Sequence, residues 1–132
     1  MRFMLDTNIC IHLIKHRPQR LMNRFDRTPV GDIGISAITL AELEYGAAKS
    51  SRPDRNRDAL RGFIEPLEVV AFDQAATASY GRIRTLLERK GRIIGSMDLL
   101  IAAHAVSVGV LLITNNEAEF KRVPGLRVGN WM

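Results

Sequence analysis

The segment MDLLIAAHAVSVGVLLIT, residues 97–114, limits the possible folds more than any other part of this chain. Its first part is apolar almost all round, which predicts a central helix that is buried on every side. Gly109 then leads directly into residues 110–114, an uninterrupted apolar run of the kind that parallel sheets bury on both faces. A buried helix followed at once by a buried strand predicts an α/β fold.

Short apolar runs alternate with helical patterns along the rest of the chain. The pattern predicts four more strands, at residues 2–5, 33–35, 68–73 and 126–131. It also predicts helices over residues 9–16, 38–47, 74–90 and 117–123, whereas the polar stretch SSRPDRNR, residues 50–57, is typical of a loop between helices. No repeat or change in composition marks a second domain. The sequence therefore predicts a single α/β domain over residues 1–132, with a mostly parallel central β-sheet flanked by α-helices.

The charge of the chain points to a polyanionic partner. Nineteen Lys and Arg against fourteen Asp and Glu give a net charge of +5 and a pI near 10. We expect some of these cations to contact phosphates and others only to solvate the surface. Aromatic residues are only 6% of the chain, which argues against a base-stacking surface and for recognition of the shape and backbone of a folded nucleic acid.

The remaining composition indicates the compartment. Cys10 is the only cysteine, which excludes an intrachain disulfide, and its place in an apolar run predicts a small core residue. The N-terminus lacks the features of a signal peptide, and no apolar stretch is long enough to span a bilayer. We therefore expect a soluble, cytoplasmic protein that does not associate with membranes.

Four acids follow predicted strands or lie in the helix turns after them. Asp6 ends the first strand, Glu42 lies in the helix after the second, Asp98 begins the central helix, and Glu119 follows the strand at residues 110–114. In open α/β sheets, ligands bind outside the carboxyl ends of the strands, so the four acids can converge there. Because clustered carboxylates repel one another, convergence predicts a divalent cation such as Mg²⁺ or Mn²⁺.

Each acid taken alone also has a purely structural explanation. Asp6 stands at a position typical of a helix N-cap, and Asp98 stands in a first helical turn, where the helix dipole favours a carboxylate. Glu42 and Glu119 fit exposed helix surfaces. Ser36 is a candidate N-cap of the helix that carries Glu42. The three histidines have no metal-ligand spacing, so we interpret His12, His16 and His104 as surface or hydrogen-bonded core residues.

Five segments, taken in order, resemble the PIN-domain family and, more narrowly, the VapC-type toxins of bacterial toxin–antitoxin pairs. They are MLDTN (4–8), ISAITLAELEYG (35–46), GSMDLLIAAHA (95–105), LLITNNEAEF (111–120) and VPGLRVGNW (123–131). Position by position, Asp6, Glu42 and Asp98 match the first three acids of that family. The last segment departs from it, because Asn116 stands where many members have an aspartate, and Glu119 supplies the acid just before Phe120.

The resemblance implies a metal-dependent endoribonuclease with one or two Mg²⁺ or Mn²⁺ ions. It implies Asp6, Glu42, Asp98 and Glu119 as catalytic acids, with Asp6, Asp98 and Glu119 as metal ligands. Supporting roles fall to Thr7, Asn8, Asn116 and Ser36. The implied substrate is a structured RNA, with tRNA favoured, whose cleavage inhibits translation, and the implied partners are a VapB-type antitoxin and a second copy of the chain.

Three alternatives are considered at this point. A metal-dependent phosphatase or phosphotransfer domain also places an aspartate after its first strand, but the absence of a D-x-D pair and of a suitable lysine after a late strand argues against it. Because Asn116 carries no charge, the acid set is weaker than usual, and a catalytically silent PIN-like module that only binds RNA is the main rival. A DNA nuclease would differ in its substrate alone.

Overall fold

The computed structural model describes all residues 1–132 and contains one five-stranded sheet. The strands are β1 (Phe3–Leu5), β2 (Ile33–Ser36), β3 (Glu68–Val70), β4 (Leu111–Ile113) and β5 (Val128–Gly129). Their order is β3-β2-β1-β4-β5, and every neighbouring pair is parallel. The predicted α/β class is confirmed, and the sheet is parallel throughout.

Seven α-helices flank the sheet. They are α1 (Thr7–Ile11), α2 (Gln19–Arg27), α3 (Ala37–Ala48), α4 (Pro53–Ile64), α5 (Gln74–Arg89), α6 (Ser96–Val108) and α7 (Glu117–Phe120). Helix α1 continues as a π-helical segment, His12–His16, which ends at Arg17 with a φ of 50°. No helix combines the length and the apolar character needed to cross a membrane.

The sheet separates two hydrophobic clusters because successive side chains of a strand point to opposite faces. Phe3 and Leu5 pack on one face with apolar residues of α1 to α4. Met4 lies on the other face with residues of α5 and α6. Helix α6 contributes six buried residues, as its all-round apolar pattern predicts, and Cys10 is fully buried in the first cluster.

Three sequence predictions about elements are wrong in detail. The helix expected over residues 117–123 ends at Phe120. Residues 53–57 of the expected loop form the start of α4, because Pro53 fits the first helical turn and Asp54 interacts favourably with the helix dipole there. The strands expected at 68–73 and 126–131 shorten to Glu68–Val70 and Val128–Gly129. Both are edge strands, so each has only one neighbour with which to form hydrogen bonds.

The chain order creates a crevice at the centre of the sheet. From β1 the chain builds β2 and β3 on one side, and then returns to place β4 and β5 on the other. Such a reversal leaves an open crevice beyond the carboxyl ends of the central strands. Residues that follow β1 and β4 therefore meet at this edge of the sheet.

Candidate active site

Asp6 lies directly after β1 and is only 3% exposed. Its Oδ1 accepts a hydrogen bond of 2.8 Å from the Ile9 backbone N–H, so the carboxylate is the N-cap of α1. Burial raises the pKa of Asp6, and hydrogen bonds from the Thr114 hydroxyl and the Ile9 N–H offset part of that rise. The end of a rigid strand and a short helix together fix this carboxylate in place.

Glu42 lies on α3, and a contact with α1 sets its direction. The Thr7 hydroxyl donates a hydrogen bond of 2.5 Å to Glu42 Oε1 and lies 3.3 Å from the Thr39 hydroxyl. Helix α3 itself begins at Ser36, whose Oγ accepts a hydrogen bond from Ile38 N–H at 3.0 Å. Thr7 therefore turns Glu42 towards Asp6, and the negative charge of Glu42 contributes to the raised pKa of Asp6.

Asp98 and Glu119 form the second pair of acids. Asp98 lies in the first turn of α6, and Glu119 lies on α7. Burial and the neighbouring Glu119 raise the pKa of Asp98 to about 7, and Asp6 and Glu42 add to the effect. The two carboxyl groups share a hydrogen bond, which requires a proton on one of them, and that proton resides on Asp98.

Glu119 stays ionised because donors surround it. Burial alone raises its pKa, but hydrogen bonds from the Gly95 N–H and the Asn116 amide, together with Asp98 and Arg122, lower it below its ordinary value. The Gly95 N–H donates to Oε1 at 3.0 Å, and Asn116 Nδ2 donates to Oε2 at 2.8 Å. Asn116 therefore holds Glu119 in position with an uncharged amide.

An open cleft of about 660 Å³ lies over these groups. Six of the residues singled out from the sequence line it: Asp6, Thr7, Asn8, Glu42, Asp98 and Asn116. Glu119 is not among the lining residues but contacts Asp98 and Asn116 from the side. Ser36 is fully buried outside the cleft, where it caps α3. The structure thus brings the four acids together, and their catalytic roles stay predictions.

The histidines lie apart from this cluster. His12 and His16 lie on the surface with their Nδ1 atoms 3.1 Å apart, as the surface interpretation predicts. His104 is fully buried, and its Nδ1 lies 2.7 Å from Ser36 Oγ, but its Nε2 has no hydrogen-bond partner. The prediction of a fully hydrogen-bonded core histidine is therefore only half right.

The structure adds cleft residues that the sequence did not single out. They are Ile11, Lys15, Ala41, Tyr45, Gly46, Met97 and Phe120, and they join Lys49, which was already a candidate phosphate contact. No arginine lines the cleft, although arginines make up most of the basic residues considered as phosphate contacts. The spacing of Tyr45, three residues after Glu42 on one helix, is the one signal that could have placed it beside the acids.

The donor chemistry of the cleft suits a hard divalent cation. No three His, Cys, Asp or Glu side chains stand in a ready-made metal-binding arrangement. All four acids nevertheless offer oxygen ligands, and burial together with the neighbouring carboxylates raises the pKa of Asp98 to about 7. A cation that displaced the proton on Asp98 would relieve the repulsion, so the residues present fit a divalent metal.

These features define the class of the protein: an α/β domain with an acidic cleft at the switch point of a parallel sheet. The PIN domain model matches residues 3–126. The tRNA(fMet)-specific endonuclease VapC of Shigella flexneri is 47% identical over 131 residues, which are 99% of this chain and 98% of that protein. The chain belongs to the PIN-domain family and, within it, to the VapC group. PIN-domain ribonucleases generally depend on a divalent metal.

Two solved structures show the same fold. DNA-bound VapBC from Salmonella typhimurium has a chain that matches with a TM-score of 0.96 and 46% identity, covering 100% of this chain and 99% of that one. VapBC2 from Rickettsia felis, bound to a DNA fragment from its promoter, matches with a TM-score of 0.95 and 44% identity over 100% of both chains.

Proposed function

We propose that this protein is a VapC-type toxin, a metal-dependent endoribonuclease that hydrolyses phosphodiester bonds in structured RNA and thereby inhibits translation. The observation that carries the proposal is the convergence of Asp6, Glu42 and Asp98 at one solvent-open cleft, with Glu119 in contact with Asp98 from the side. A basic protein with an acidic cleft also fits an RNA substrate, since its overall charge attracts the polyanion while the cleft holds the cation.

The metal in this proposal is Mg²⁺ or Mn²⁺, because both ions prefer carboxylate oxygens. Asp6, Asp98 and Glu119 would hold it, with Glu42 as the fourth acid of the site. When bound, such an ion neutralises negative charge on the phosphate and lowers the pKa of a water molecule. Asn116 lines the cleft, and its carbonyl oxygen would be a further ligand while its amide nitrogen donates to Glu119.

The protein's own residues position the acids and the substrate. Asp6 is held by the Ile9 N–H, and Glu42 is held by the Thr7 hydroxyl. Asn8 lies exposed in the cleft, beside Thr7, where its amide is available to substrate or to a neighbouring carboxylate. Lys15 and Lys49 line the cleft and would contact phosphates on either side of the cleaved bond.

The substrate we propose is a tRNA. The Shigella flexneri relative is described as specific for tRNA(fMet), and it is similar to this chain over almost its full length. Loss of a tRNA needed for protein synthesis would explain inhibition of translation.

The proposal includes two partners. The similar structures from Salmonella typhimurium and Rickettsia felis are VapBC complexes, which supports a VapB-type antitoxin for this chain. An apolar groove of about 260 Å³ adjoins the cleft and shares Ile11, Lys15, Glu42 and Gly46 with it, so an antitoxin segment there would also cover the acids. A homodimer, implied by the family, is to be tested by analytical ultracentrifugation.

Cleavage of a purified total-RNA pool tests the enzymatic proposal. We expect discrete fragments with Mg²⁺ or Mn²⁺, none with chelator, and a loss of about 1000-fold in rate for Asp98→Asn, since a lost metal ligand removes several kcal/mol of transition-state stabilisation. Glu117→Gln is the matched control, because Glu117 is an acid on α7 outside the cleft. RNA binding without cleavage under every condition would instead support the silent RNA-binding module.

The antitoxin site is tested separately. Ala59 is an exposed residue of the apolar groove, and Ala59→Arg should weaken capture of the VapB-type antitoxin while RNA cleavage continues. Ala78→Arg, on the exposed side of α5, is the control. Equal antitoxin binding by both variants would exclude the groove.

A further inference from the structure

Tyr45 is an exposed aromatic side chain that the fold does not use. It is 66% exposed, more than any other large hydrophobic residue of the chain. It belongs to neither hydrophobic cluster and is not packed against either. Substituting its ring would therefore cost little packing energy, and its position has to be explained by something other than core formation.

The position of Tyr45 is beside the acids. It lies on α3 three residues after Glu42, and both side chains line the acidic cleft. Lys49, four residues further on, places its Nζ over the Tyr45 ring, 4.8 Å from the centroid. Met97, which is 46% exposed and precedes Asp98, adds a second open apolar surface to the same cleft.

We propose that Tyr45 stacks against a nucleobase of the RNA next to the cleaved phosphate, while Lys49 contacts a phosphate of the same segment. This inference rests on the proposed function and specifies how the RNA substrate is bound next to the acids. Every base has a π-face, so an exposed ring accepts one without reading its sequence, and the adjacent ammonium balances the backbone charge. Few aromatics in the chain as a whole argue against a stacking surface, but one ring at the cleft is sufficient for one base.

The stacking role can be separated from a structural one by removing the ring and the base independently. An eight-nucleotide adenine RNA and an abasic RNA of the same length, both fluorescently labelled, are titrated with the full chain carrying Asp98→Asn, in Mg²⁺, so that no cleavage intervenes. We expect the parent protein to bind the adenine RNA about 5- to 100-fold more tightly than the abasic RNA. Tyr45→Leu should remove most of that preference, and Tyr45→Phe should keep it.

Tyr80 provides a matched control. It also has a cation over its ring, Arg84 with its Cζ 5.9 Å from the centroid, but it lies on α5 outside the cleft. Tyr80→Leu should leave the preference for adenine RNA unchanged. Equal affinity of the parent for the two RNAs, or a preference that survives Tyr45→Leu, would overturn the stacking role.

Lys49 is tested by salt dependence. Lys49→Met should reduce the slope of the logarithm of the RNA binding constant against the logarithm of salt concentration by about 0.7, the value for one phosphate contact on single-stranded RNA. Lys90→Met is the control, because Lys90 is likewise the C-cap of a helix but lies at the end of α5. Equal slopes for the two variants would exclude the phosphate contact.

Kinetics distinguish this inference from the enzymatic proposal. In the otherwise unmodified protein, Tyr45→Leu should raise KM for RNA about 5- to 100-fold with little change in kcat, because the ring binds substrate and transition state alike. A failure of the unmodified protein to cleave RNA would overturn the enzymatic proposal, whereas the binding experiment would still decide whether Tyr45 stacks. A fall in kcat at unchanged KM would contradict the stacking role.

Discussion

The acidic cleft has two walls, and they stabilise their carboxylates in different ways. On the wall formed after β1 and β2, each acid has a donor from the protein: Asp6 has the Ile9 N–H and Glu42 has the Thr7 hydroxyl. On the wall formed by α6 and α7, Glu119 takes two donors, and Asp98 has only the carboxyl group of Glu119 as its partner. The protein therefore supplies hydrogen-bond donors to both acids of the first wall, whereas Asp98 on the second wall is paired only with another carboxyl group.

This difference indicates where a metal changes the protein most. Burial raises the pKa of both Asp6 and Asp98, and that of Asp98 is raised to about 7 with a contribution from Glu119. Binding of a divalent ion would displace the proton on Asp98, so the second wall couples metal binding to pH. The first wall instead holds its carboxylates in place by hydrogen bonds from the Ile9 N–H and the Thr7 hydroxyl.

Substitution of Asp6 should have the largest effect on the rate of cleavage. Two variants distinguish the role of its charge from the role of its hydrogen bond. Asp6→Asn and Asp6→Ala should both reduce cleavage about 1000-fold, because each removes a metal ligand. Only Asp6→Ala also removes the hydrogen bond to the Ile9 N–H, so it should be about 1 kcal/mol less stable than Asp6→Asn. Urea denaturation measures this difference, and equal stability would show that the N-cap contributes nothing.

The pH dependence of the metal-free protein tests the second wall. The pKa of Asp98 lies above its ordinary value of 3.8, so the folded protein retains a proton that the unfolded chain releases. The free energy of unfolding should therefore fall as the pH rises from about 4 to about 7. Asp98→Asn should remove this fall. Denaturant titrations of both proteins across that range provide the measurement, and a constant difference between them would contradict the shared proton.

Thr7 tests how much the orientation of Glu42 matters. Thr7→Val keeps the shape of the side chain but removes the hydroxyl that donates to Glu42, and we expect cleavage to fall about 10-fold. Thr77→Val is the control, since Thr77 lies in the first turn of α5 with its hydroxyl bonded to a local carbonyl. Similar rates for the two variants would show that the hydrogen bond from Thr7 to Glu42 does not contribute to the reaction.

The smallest expected effect is a change in metal affinity on substitution of Asn116. Asn116→Asp adds a carboxylate beside Glu119 and removes the amide donor, so it should lower the stability of the metal-free protein and tighten Mn²⁺ binding a few-fold, on the order of 1 kcal/mol or less. Calorimetric titration with Mn²⁺ measures the change, and Asn23→Asp on the exposed side of α2 is the control. Unchanged affinity would place residue 116 outside the metal site.

The fold could be predicted from local patterns because its central elements are strongly apolar. The centre of α6, residues 101–105, and the strand residues 112–113 are buried in the way that their composition requires. The beginning of α4 was missed because Arg, Asp and Asn around Pro53 are as typical of a loop as of an exposed first helical turn. Polar elements on the outside of a domain leave little periodicity by which to recognise them.

The site was predictable as a set of acids but not as a set of contacts. The sequence did not indicate which face of α3 Glu42 occupies, and a hydroxyl from α1, thirty-five residues earlier, decides it. Nor did it indicate that Asn116 donates to Glu119, or that Tyr45 is exposed beside the acids. These features depend on how separate elements pack, and no single segment contains that information.

The parallel arrangement of β1 between β2 and β4 has a consequence for the synthesis of the protein. Asp6 and Glu42 lie in the first third of the chain, whereas Asp98, Asn116 and Glu119 lie in the last third. A chain still emerging from the ribosome can pair β1 with β2, but it has no β4 and only one wall of the cleft. A protein that cleaves RNA needed for translation would thus have no complete active site until its own synthesis is almost finished.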